Sequence, residues 1–74
     1  MIKRKSTKFV HEGIYAAEVE IELLEEDHEW APYISLKDAE KLDAVRVALR
    51  NGDLKTAAKL GRVFELKPVT ADRG

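Results

Sequence analysis

The clearest pattern in the chain is the alternation between residues 14 and 24, IYAAEVEIELL. Tyr15, Ala17, Val19, Ile21 and Leu23 fall on one side, and Ala16, Glu18, Glu20 and Glu22 on the other. Period two over this length predicts a strand with one buried and one solvated face, because a helix would scatter the glutamates around its circumference. Upstream, KFV is separated from it by His11-Glu12-Gly13, a three-residue hairpin loop with glycine where a left-handed backbone is wanted. In that register Val10 faces Ile14, Phe9 faces Tyr15, Arg4 lies opposite Glu20 and Ser6 lies opposite Glu18.

After the alternation, EEDHE has no periodicity and reads as an exposed turn. WAPYISL returns to β-type residues, and Pro32, which cannot donate to a ladder, places that strand at an edge or at an irregular start. Ser35 followed by Asp38 fits a capping box, with Asp in place of the usual Glu. From Leu36 to Arg50, Ala39, Leu42, Val45, Ala48 and Leu49 recur on one helical face, while Lys37, Glu40, Lys41, Arg46 and Arg50 mostly take the other. Asn51-Gly52 supplies a left-handed cap, Asp53 caps a second short helix, LKTAAKL, and Gly61 stops it. RVFELKPV then alternates again, with Phe64 and Leu66 on one side. The predicted order is β-β-β-α-α-β: an α+β fold with a small, three- to four-stranded, mainly antiparallel sheet and two helices on one face. Residues 1–69 are expected to form a single α+β domain, with 70–74 a loose C-terminal tail.

Length changes this picture. A chain of 74 residues buries only about 60% of the surface its unfolded form exposes, so its stability is marginal without help. With no cysteine and two histidines, neither disulfides nor a Cys- or His-rich metal cage supplies that help. Burial against another chain is the remaining aid, which favours a protein partner or a homodimer. No apolar run approaches a membrane span, and the basic start MIKRKSTKF has no apolar stretch behind it, so a cytoplasmic protein is expected.

Charge is laid out in blocks. Lys3, Arg4, Lys5 and Lys8 precede a stretch, residues 9 to 29, that holds eight acidic and no Lys or Arg side chains. A hairpin brings these blocks together as cross-strand neighbours, where opposite charges contribute a few tenths of a kcal/mol per pair.

Chemistry is sparse. Glu25, Glu26, Asp27, His28 and Glu29 form the one cluster with metal-ligand character, but the alternate ligands and central glycine of a calcium loop are missing. A solvated turn is expected, with a weak cation site the alternative; no metal and no cofactor are expected. Ser35 is assigned to a helix cap, His11 and His28 fall in turns, and the glycines are isolated, so neither a nucleophile–base pair nor a phosphate loop is present. A non-catalytic protein follows. Trp30 and Tyr33 either cover the core or anchor a partner. Arg46, Arg50, Lys55, Lys59 and Arg62 span the helix–helix corner and offer a nucleic-acid surface as the alternative reading, against a sequence pI of about 6.1.

Residues 13 to 69, from GIYAAEVEIELL to FELKPV, resemble a group of short bacterial proteins of unassigned function, which implies no activity or site residue. More loosely, strands followed by SLKDAEKLDAVRVAL resemble the HicB-type antitoxin domain, a small sheet carrying an SLEEA-like helix. That family's Gly-rich Pro-Asp-Leu-Pro-like segment and C-terminal DNA-binding unit have no counterpart here. The resemblance implies an antitoxin-like interaction protein, in which Glu18, Glu20 and Glu22 meet the cations of a basic partner while Trp30 and Tyr33 anchor it.

Overall fold

The structure is a computed structural model that describes residues 2–25 and 32–69. The chain runs β1 (Ile2–Glu12), β2 (Tyr15–Glu25), β3 (Tyr33–Ile34), α1 (Leu36–Arg50), α2 (Leu54–Leu60) and β4 (Arg62–Glu65). All strand pairings are antiparallel and all involve β2, so the architecture is the α+β arrangement the alternation predicts. β1 runs the whole length of one side of β2. On the other side β4 pairs with Tyr15–Glu18 and β3 with Leu23–Leu24.

The alternation of β2 decides where the core lies. Ala17, Val19 and Ile21 are buried with Val10 of β1, Val45, Ala48 and Leu49 of α1, and Ala57 of α2. Both helices therefore lie on the face that Tyr15, Ala17, Val19, Ile21 and Leu23 present, and Glu18, Glu20 and Glu22 point the opposite way.

The hairpin register differs from the sequence expectation. Gly13 and Ile14 form a two-residue turn between Glu12 and Tyr15, with Gly13 at φ 62 and Ile14 at an ordinary negative φ. One positive φ, at the first central position, is the requirement of the II′ turn that joins right-twisted strands. The pairing shifts by three positions: Val10 faces Ala17, Phe9 faces Glu18, and Arg4 faces Leu23 rather than Glu20. An odd shift exchanges the faces of a strand. Val10 goes into the core and Phe9 goes out.

The helix boundaries follow their capping residues. Ser35 Oγ accepts from the Asp38 N–H at 3.1 Å, and Asp53 Oδ1 accepts from the Thr56 N–H at 3.2 Å. The bonds from Thr56 hold the Asp53 carboxyl below its ordinary pKa. At the end of α1 the Asp53 N–H donates to Ala48 O at 2.8 Å and the Gly52 N–H to Leu49 O at 3.1 Å, with Gly52 at φ 72. That pair of bonds is a Schellman motif.

Only half of the expected capping box forms. The Asp38 carboxylate does not return to Ser35; its Oδ2 accepts from the Glu22 N–H of β2 at 2.8 Å. One turn along α1, Lys41 Nζ donates to Glu20 O at 2.9 Å. These two side chains fill the gap that β3 and β4 leave along the second edge of β2, giving its backbone the acceptor and donor a strand would have provided. Asp38→Ala is expected to lower stability by about 1 kcal/mol, the cost of a lost charge-assisted bond at a solvent-accessible site. Urea unfolding checks this, and hydrogen exchange at the Glu22 amide should quicken in the same variant.

Candidate functional site

With the helices on one side, the outer face of the sheet is covered by no described element. Its residues follow from the pairing. β2 contributes Ala16, Glu18, Glu20 and Glu22; β1 contributes Lys3, Lys5, Thr7, Phe9 and His11; β4 contributes Arg62 and Phe64. The surface is divided. Toward the hairpin turn Phe9 is 68% exposed and Phe64 37% exposed, flanking the small Ala16. Ile14 and Leu66 continue this apolar end, joined where the Leu66 N–H donates to Ile14 O at 2.6 Å. Scattered exposed apolar residues are ordinary, but a contiguous patch with a polar border marks an interaction surface.

The glutamate row borders the patch and is not purely acidic in its setting. Arg62 is the cross-strand partner of Glu18, and Lys5 that of Glu22; Glu20 faces Thr7. The Arg62 guanidinium carbon also lies 5.4 Å from the centroid of the Phe64 ring, which joins the charged and apolar parts. Glu18 is half-buried by these neighbours, whereas Glu20 and Glu22 are exposed. Tyr33 is exposed on β3, which pairs with the far end of β2. Trp30 lies outside the described residues, as do Glu26, Asp27, His28 and Glu29 of the acidic cluster. Its remaining member, Glu25, bonds Arg4 at 3.0 Å.

Of the basic residues of the alternative reading, Lys59 and Arg62 line one groove, while Arg46 and Arg50 lie at Glu12. Arg46 and Arg50 both turn to Glu12, with Nε–Oε distances of 3.8 and 3.4 Å. The hydrogen bond and charge of Glu12 push the Arg50 pKa up. Lys55 and Lys59 are exposed on α2. Arg62 pairs with Glu18 and lines a groove at the edge of β2 together with Lys41 and Lys59 of the helices.

Among the described residues no group of three His, Asp or Glu side chains is placed to hold a metal ion. The Ser35 hydroxyl is engaged by the Asp38 N–H, and the His11 Nε2–H donates to Gly13 O at 2.8 Å. An open surface groove lies beside the Asp38–Lys41 clasp. No helix among the described residues is long and apolar enough to cross a membrane.

Sequence reasoning singled out the glutamate row but missed the apolar end. Phe64 and Leu66 were legible as one side of a strand; that this side faces outward depends on Val63 taking the core position beside Ala17. No family model matches the chain, and no curated protein or solved structure matches it.

Proposed function

We propose that this chain is a small, non-catalytic interaction protein that docks a protein partner on the open outer face of its sheet. The observation that carries the reading is the continuity of Phe9, Ala16, Phe64 and Leu66 with Glu18, Glu20 and Glu22 on a face that no described element covers. Aromatic side chains in the centre of an interface supply the binding energy, and bordering charges set orientation and encounter rate. An antitoxin-like protein that masks a basic partner is the most concrete form of this reading. There Glu20, which has no cation directly across from it, makes the first charge contact, Tyr33 extends the anchor along the β3 side, and Trp30 is the second aromatic that the reading calls on.

The test compares the wild type with the triple variant Glu18→Gln, Glu20→Gln, Glu22→Gln against a partner purified from the source cells. Affinity is expected to fall by about tenfold at low salt, and the salt dependence of binding should flatten, because three charges leave the border. Unchanged affinity together with an unchanged salt dependence overturns the role of this row.

A further inference from the structure

β1 has a second side that pairs with nothing among the described residues. The side chains of α1 reach the Glu20 carbonyl and the Glu22 N–H, so the even-numbered residues of β2 turn their backbone groups away from β1. Their cross-strand partners are the odd-numbered residues of β1, which by the antiparallel alternation turn theirs outward. Lys3, Lys5, Thr7, Phe9 and His11 therefore present a row of unmatched donors and acceptors. The strand is eleven residues long, contains no proline, and keeps one unbroken register against β2. Only Val10 of it is buried. The radius of gyration is 15.5 Å, against about 11 Å for a compact domain of this length.

We propose that this edge pairs with the same edge of a second copy, antiparallel, about a two-fold axis at Thr7. The proposal is tested apart from the outer-face reading: edge pairing joins the β1 backbones and places Lys5 over Phe9, while Ala16, Phe64, Leu66 and the glutamate row stay open on both copies. Lysines on an edge ordinarily discourage such pairing, but here their positions select one register. Centring on Lys5 or Lys8 sets that lysine against itself, and centring on Ser6 sets Arg4 against Lys8. Centring on Phe9 avoids like charges but leaves Ile2–Lys5 overhanging. Centring on Thr7 matches the whole of Ile2–Glu12 with no like charges directly opposed: Lys3 meets His11, Arg4 meets Val10, Lys5 meets Phe9, Ser6 meets Lys8 and Thr7 meets Thr7. On the outer face Lys5 then lies across the exposed Phe9 ring of the other copy, beyond which stands that copy's Glu18. Threonine opposite threonine and a cation over an aromatic ring are both favourable cross-strand pairs. On the helix side the two Lys8 residues remain diagonal neighbours, so screening should strengthen the pair.

Sedimentation of the full chain over a concentration series, at low and high salt, tests this directly. The expected result is a dimer that dissociates on dilution and tightens as salt rises. Thr7→Pro removes an outward N–H while sparing the β1–β2 ladder. With two intercopy bonds lost, it should raise the dissociation constant roughly thirtyfold at an unchanged circular dichroism spectrum. Should that variant fail to fold, Thr7→Lys, which opposes two cations at the axis, provides the same readout. The chain has no cysteine, so Thr7→Cys should form a symmetric disulfide about tenfold faster than Lys3→Cys, because directly opposed strand positions lie within disulfide reach. A monomer at every concentration overturns the proposal. So does a dimer indifferent to Thr7→Pro or Thr7→Lys, or a Thr7→Cys variant that crosslinks no faster than Lys3→Cys. Binding of an acidic peptide to the monomeric edge, weakening with salt, would identify a different occupant and overturn it too.

Discussion

Replacing Gly61 with alanine is expected to cost about 2–4 kcal/mol, from an added methyl group that meets backbone rather than a yielding side chain. Gly61 has an extended backbone, φ −167, so left-handed freedom is not its reason for being glycine. The reason is space. A Cβ at this position would lie 2.6 Å from the Glu18 carbonyl oxygen and 3.0 Å from Val19 Cγ2. Glu18 belongs to the segment of β2 that pairs with β4, and Val19 is fully buried. Relief therefore requires the α2–β4 junction to move off the sheet. A domain of this size has a total stability of roughly 4–11 kcal/mol, so Gly61→Ala removes a large share of it. Urea unfolding is the measurement. A loss below about 0.5 kcal/mol would mean that the junction shifts freely and that the close approach is not a constraint.

Leu49→Ala should be nearly as damaging, at about 3 kcal/mol, by emptying space between α1 and the sheet. Leu49 is 2% exposed and shares the core with Val10, Ala17, Val19, Val45 and Ala57. Three of the core residues are alanines, so the core contains few large side chains that could move in to fill the void. Val47→Ala, two positions away on the exposed side of α1, is the matched control and should change stability by less than about 0.5 kcal/mol. Equal losses from the two substitutions would contradict the assignment of the buried face.

The helices were legible in the sequence because several local signals agreed. Ser35, Asp53 and Gly52 each mark an end by a hydrogen-bonding or conformational requirement of their own, and the apolar spacing of Leu42, Val45 and Leu49 allows one buried face. The strand Tyr15–Glu25 was legible for the same reason, since period two admits a single assignment of faces. The β1 register was not. Phe9 and Val10 are adjacent and both apolar, and the one other apolar residue of IKRKSTKFVHE, Ile2, is separated from them by six polar or charged residues. Gly13 suits either a three-residue loop or the start of a two-residue turn. What selects Val10 for the core is tertiary, its place opposite Ala17 beneath the helices. The bonds from Asp38 and Lys41 to β2 were equally invisible, because Asp38 satisfies a capping-box pattern in sequence while its carboxylate serves the sheet. For the candidate site, the glutamate row was readable from alternation alone, whereas its apolar continuation required the strand order.

The two sides of the sheet differ in kind. One carries a single long strand with its backbone open; the other presents only the stubs of β3 and β4, with the interval between them occupied by side chains of α1. Joining two copies through the long side uses up that side on both, and what then faces outward offers no template of comparable length. Growth stops at two. A strand that would otherwise invite endless stacking is thereby restricted to a closed pair, because the clasp from the helix has already terminated the opposite border.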